Sequence, residues 1–186
     1  MLSLTVDGYL TLDLSPTSKN SVSEQTLDYI SSLPDGTLIK IVGLFDKPSS
    51  VTDTPFEYII PMLEDLEARS GGKVAVSYVN PDKYPSIISE LDPKGVSTLE
   101  KDMFAVSCEG KVRVIDPYSD CFTYNQDEYT GLNYPNANRS ESAFINTIIS
   151  ITSKSSYKVY YLTGIQEAPH TYLDSIFASM NIETAE

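Results

Sequence analysis

The sequence predicts an α/β protein, because short β-branched runs bounded by turn residues alternate with helical apolar stripes, and two of the runs close as a hairpin. Three segments carry that prediction. Residues 37–45, TLIKIVGLF, are nearly all apolar, as expected of a strand covered on both faces. Residues 73–80, KVAVSYVN, alternate Val and Tyr strongly enough for a second strand. Residues 102–108 and 111–115 flank Glu109-Gly110, a turn of hairpin type, which makes their strands antiparallel.

The remaining elements follow in chain order. From Tyr9 to Leu14, Leu alternates with polar residues, which predicts a half-buried strand broken by Ser15-Pro16. Ser21 with Glu24 three residues on reads as a capping box for a short helix, whose stripe of Leu27, Ile30 and Leu33 ends before Pro34-Asp35-Gly36. After the first buried strand, Thr54 offers an N-cap, Pro55 the first helical position and Glu57 the reciprocal carboxylate. Phe56, Ile59, Ile60, Leu63 and Leu66 trace the buried face of that helix, and Pro61 predicts either a kink or a later start. Gly71-Gly72 precedes the second strand, Pro81-Asp82 closes it, and a short helix over Pro85 to Leu91 leads into the hairpin.

Residues 116–139 sustain neither period and read as an elaborated loop, in which Tyr118, Phe122, Tyr124, Tyr129 and Tyr134 stand among Asp, Asn and Gly. Ser140 then caps a helix with Ala143, Phe144, Thr147, Ile148 and Ile151 on one face. Tyr157 to Leu162 is a further strand, and His170 to Met180 a last helix. In order, residues 37–153 give strand, helix, strand, helix, strand, strand, helix. That is the succession of a thioredoxin-like mixed sheet flanked by helices, with a right-handed crossover. The expected organisation is a lead-in strand and helix over 1–36, a thioredoxin-like α/β domain over 37–155 containing the Tyr-rich loop, and the incomplete start of a second α/β domain over 156–186.

Composition narrows the function classes. Of 186 residues, 41% are hydrophobic and 21% charged, the profile of an ordinary globular chain. Thirteen basic against 26 acidic residues give a net charge of −13, which repels phosphate backbones and anionic headgroups, so nucleic acid is not an expected partner. No apolar stretch approaches the roughly 20 residues that span a bilayer, and the opening MLSLTVDGYL lacks the basic-then-apolar order of a signal peptide. The fragment is expected to be soluble, with membrane attachment only through segments outside it.

No catalytic constellation is legible. A thioredoxin-like redox enzyme needs a thiolate at the start of the helix after the first central strand, where free N–H groups lower the thiol pKa. Residues 46–53, DKPSSVTD, hold no cysteine there. Cys108 falls in a strand and Cys121 in the loop, as two separate thiols or as one bridge in an oxidising compartment. The sole imidazole, His170, stands beside Pro169 with no serine elbow near it, and reads as an exposed or helix-start histidine. Asp116, Asp120, Asp127 and Glu128 supply oxygen donors without the spacing of a calcium loop, and no P-loop sequence occurs. No catalytic residue, metal ligand or cofactor is therefore expected. The five aromatic residues of the 116–139 loop are the candidate contact residues, since tyrosines present rigid amphipathic area to partners and to sugar rings.

The chain resembles the gliding-motility-type ABC-transporter auxiliary proteins. The landmarks are Leu12-Asp13-Leu14 with SVSEQT at 21–26, then VSYVNPDK at 76–83, ESAFINTI at 141–148 and YYLTGIQE at 160–167. The resemblance implies a region that follows an N-terminal membrane helix, lies on the extracytoplasmic face of a bacterial membrane, and partners an ABC permease and an ATPase subunit. It departs from the family pattern at Ile165-Gln166, where relatives carry His-Gly, and it implies no catalytic residue. The function expected is a non-catalytic binding or scaffolding module of a transport system. The alternatives are a vestigial thiol oxidoreductase using Cys108 or Cys121, a carbohydrate-active protein using loop carboxylates, and a structural spacer.

Overall fold

A computed structural model describes residues 3–6, 10–13, 21–48, 55–93, 95, 97–127, 129–153, 157–160 and 182–185. Its centre is a four-stranded mixed sheet in the order β4-β3-β5-β6, formed by β3 (Ile39–Gly43), β4 (Val74–Tyr78), β5 (Phe104–Cys108) and β6 (Lys111–Ile115). β3 pairs parallel with β4 and antiparallel with β5, and β5 pairs antiparallel with β6. The α/β class read from the sequence is thus the class of the fold, and the two apolar runs are sheet neighbours. β3 is central because Ile39, Ile41 and Val42 are buried on both faces. The β5–β6 turn uses left-handed backbone at Glu109 (φ 49°) and Gly110 (φ 78°), the twist a two-residue hairpin needs.

Helices cover this sheet. α2 (Phe56–Arg69) buries Ile59, Ile60, Met62, Leu63 and Leu66, and α4 (Ser140–Thr152) buries Phe144, Ile148 and Ile151. α2 runs unbroken through Pro61, which withholds one N–H from the carbonyl of exposed Glu57 in the helix's opening turns. The expected cap Thr54 lies outside the described residues. The short α3 (Ser86–Leu91) buries no side chain. A ring cluster joins the layers: Phe45 meets Phe56 at 4.6 Å and Phe104 at 5.2 Å, and Phe104 meets Phe144 edge-on at 5.3 Å. Gly43, at the end of β3, leaves room for it, since a Cβ there would stand 2.7 Å from the Tyr78 ring and 2.9 Å from that of Phe45.

α1 (Glu24–Ser32) shares this core through Val22, Ile30 and Leu33 and is held by residues distant in sequence. Its cap is Ser23, not Ser21. Ser23 Oγ accepts from the Thr26 N–H, and the carboxylate that receives the Ser23 N–H comes from Glu141 of α4, at 2.9 Å, rather than from Glu24. The same Glu141 oxygen accepts from Ser23 Oγ at 2.5 Å and Thr26 Oγ1 at 2.6 Å. From α2, Asp65 accepts the Val22 N–H and Arg69 donates to the Val22 carbonyl. At the other end Lys73 donates to the carbonyls of Ser31 and Leu33, giving the helix the cation its own last turn lacks.

Three two-stranded ladders complete the described elements. β1 (Ser3–Val6) pairs antiparallel with β2 (Leu10–Asp13), and β9 (Tyr157–Tyr160) pairs parallel with β10 (Ile182–Ala185). A parallel pair requires a crossover connection; the expected helix over 170–180 lies outside the described residues. The third corrects the sequence reading. Residues 116–139, expected to be a loop, contain the antiparallel hairpin β7 (Phe122–Gln126) and β8 (Asn133–Asn138). Its alternation is hidden by a bulge at Asn136 and by Pro135 inside a strand, a residue confined to sheet edges and bulges.

Burial pushes the Glu141 carboxyl upward, but the hydrogen bonds from Ser23 and Thr26 outweigh it and hold the group below the ordinary glutamate range. Its stabilising contribution is therefore complete above about pH 4.5, the unfolded value, and is lost as pH falls through the lower folded value. Glu141→Ala should cost about 2 kcal/mol at neutral pH, as expected for loss of charge-assisted hydrogen bonds. The gap between variant and native protein in urea unfolding should narrow in acid.

Candidate functional site

The hairpin projects beside the start of α2, and the space between them is a groove of about 780 Å³. Two short turns set its shape. Asp116 Oδ1 accepts from the Tyr118 and Ser119 N–H groups while Asp120 Oδ2 accepts from the Asp116 N–H, so the turn before β7 is closed by its own side chains. At the far end Asp127 Oδ1 accepts from the N–H groups of Tyr129 and Thr130 and from the Thr130 hydroxyl, which hold its carboxyl below the usual aspartate range. Gly131 (φ 70°) completes that turn, with its carbonyl taken by the Gln126 amide.

Of the five sequence-predicted contact residues, the structure brings three together. Tyr118, Phe122 and Tyr124 line the groove. Phe122 is buried and packs on Tyr58 with ring centres 6.0 Å apart, while Tyr118 stands edge-on to Phe56 at 6.4 Å. Phe122 and Tyr124 alternate with Thr123 and share one face of β7. Tyr134 is placed elsewhere, because it lies opposite Asn125 on the other face of the ribbon. Tyr129 sits on the hairpin turn, 97% exposed and outside the groove.

The sequence reading missed the opposite wall. Pro55, Glu57 and Tyr58 come from the start of α2, and Asn136 and Asn138 from β8. Tyr58 carried a readable signal, since it stands off the apolar stripe of Phe56, Ile59 and Leu63. The asparagines carried none: Asn136 stands at the bulge, and Asn138 faces the groove through its pairing with Phe122. Burial, then the neighbouring Tyr118 and Asp116, raise the Tyr124 phenol above its ordinary pKa, so it remains a hydrogen-bond donor through the neutral range.

Neither thiol reaches the groove lining, and neither is bridged: Cys108 and Cys121 are both buried and free. Burial raises the Cys108 thiol, with Glu109 adding to it. Burial pushes Cys121 up to about 12 against the pull of the Ser140 hydroxyl, with Asp120 and Asp116 raising it further. Thiolate chemistry near neutral pH needs the opposite setting. Among the described residues no group of three His, Cys, Asp or Glu side chains converges on a common point, and no helix is long and apolar enough to cross a membrane.

No protein-family model matches the chain, and neither a curated protein nor a solved structure does.

A disulfide-exchange reagent should label neither cysteine at an appreciable rate in the folded protein at pH 7.5 and both at once in denaturant. Rapid native labelling of either thiol would contradict its burial.

Proposed function

We propose that this chain is a non-catalytic binding or scaffolding module of an ABC-type transport system, lying on the extracytoplasmic side and contacting substrate or permease through the groove beneath the β7–β8 hairpin. The observation that carries the reading is the groove itself: aromatic walls open to solvent, with no thiol, imidazole or serine among the described residues that line it. Such a surface can hold a ligand or a partner, and its described lining pairs no nucleophile with a base.

Two further points support it. The order β4-β3-β5-β6, with the third strand reversed, is the arrangement expected of a thioredoxin-like frame, while 46–53 carries no cysteine for dithiol exchange. The segments that resemble the gliding-motility-type auxiliary proteins run across both the described core and the residues beyond it, so the resemblance does not rest on one element. On this reading the ATP is hydrolysed by a separate subunit, consistent with the lack of a P-loop sequence.

The test is recovery of the permease subunit on tagged protein expressed with its membrane-flanking segments. Replacing Tyr118 and Tyr124 together with Ala should lower recovery, or the retention of transported substrate, about tenfold or more, the scale of an aromatic hot spot. Tyr129→Ala, outside the groove, should change neither. If the double variant folds and both measurements stay at the native level, the groove is not the contact site.

A further inference from the structure

The groove has a chemical character that narrows what it can hold. Its rings come from both walls, Tyr58 on α2 and Tyr118 and Tyr124 on the hairpin side. Between them stand polar groups. Among the described residues, no hydrogen bond engages the hydroxyls of Tyr58, Tyr118 and Tyr124, the Glu57 carboxylate or the Asn136 amide. Asn138 spends its carbonyl oxygen on the Ser140 N–H and hydroxyl, which fixes the side chain and leaves its amide N–H groups to donate elsewhere.

The bulge explains why the Asn136 amide is there. Thr123 faces Ala137 and Tyr124 faces Pro135, so Asn136 is the residue left without a cross-strand partner. Bulges of this kind re-aim a side chain at the rim of a site. Here the re-aimed residue is an amide, and it lines the groove together with Tyr124.

These features point away from three ligand classes. A purely apolar molecule would strip water from an amide, a carboxylate and three phenols without replacing their hydrogen bonds, a cost of about 1–3 kcal/mol for each group so stranded. A phosphate or carboxylate ligand would find Glu57 as the one formal charge among the described residues of the lining, on a chain of net charge −13. A strand-forming peptide would seek an open sheet edge, but Pro135 withholds an N–H from β8 at the groove. The lining suits a neutral polyhydroxylated ring system, with apolar C–H faces for the phenol rings and equatorial hydroxyls for the amides and the carboxylate. A volume of about 780 Å³ falls in the usual range of small-molecule sites, roughly 300–1,000 Å³.

We infer that the groove between α2 and the β7–β8 hairpin is a binding site for a short neutral oligosaccharide, stacked on Tyr58, Tyr118 and Tyr124 and hydrogen-bonded by Glu57, Asn136 and Asn138. The inference rests on the groove being the contact surface of the module and assigns its ligand class.

Isothermal titration of the full chain with maltohexaose, cellohexaose and chitohexaose tests it, with a proline-rich peptide as the competing probe. Saturable binding of at least one hexasaccharide is expected. Its affinity should fall about tenfold in Tyr124→Ala and several-fold in Asn136→Ala, and hold in Tyr129→Ala; Tyr124→Phe, which keeps the ring, should lose less than Tyr124→Ala. Circular dichroism separates loss of binding from loss of fold. Absence of saturable sugar binding at millimolar concentration overturns the assignment, as does binding unmoved by the groove variants or binding of the peptide in place of the sugars. The permease-recovery measurement is independent of these titrations: a ligand failure with recovery still lowered in the Tyr118/Tyr124 double variant removes the saccharide and leaves the module intact.

Discussion

The contact of Phe45 with Phe56 is the joint on which the architecture turns. Phe45 follows the central strand and Phe56 opens the helix that covers it, so their packing at 4.6 Å fixes where α2 begins relative to the sheet. Phe104 and Phe144 extend the contact inward to β5 and α4, and Tyr118 extends it outward from Phe56 to the hairpin. The groove is therefore braced by the core: one of its rings leans on a residue that leans on the buried cluster. Such aromatic pairs add about 0.5–1.5 kcal/mol beyond the area they bury, and here they also set geometry.

The core was the legible part of the chain. TLIKIVGLF and KVAVSYVN declared their strands through composition, and Glu109-Gly110 declared its hairpin, because burial on a sheet demands β-branched and apolar residues in fixed places. α2 and α4 were equally readable from their stripes. These signals are local, and the structures they specify are local.

What the sequence hid was arranged over distance. Ser21-x-x-Glu24 satisfies the pattern of a capping box, yet the cap that forms is Ser23 with a carboxylate donated from Glu141, 118 residues away. No window of a few residues contains that information. The β7–β8 ribbon was concealed differently, since every residue of β8 is exposed and one extra residue shifts the phase of its alternation. Tyr118, Phe122 and Tyr124 were named because aromatic rings are conspicuous among Asp and Asn; the wall on α2 and the two asparagines became visible only once the hairpin had been folded against the helix.

Pro135 and the bulge beside it have a consequence for the molecule in company. A two-stranded ribbon standing clear of the main sheet presents backbone donors and acceptors along its rims, an invitation to zip onto the next copy. An imino acid in β8 and a break in the ladder spoil that template along this exposed strand. The same two features that shape the groove thus let an exposed arm remain solitary where many identical arms are crowded together.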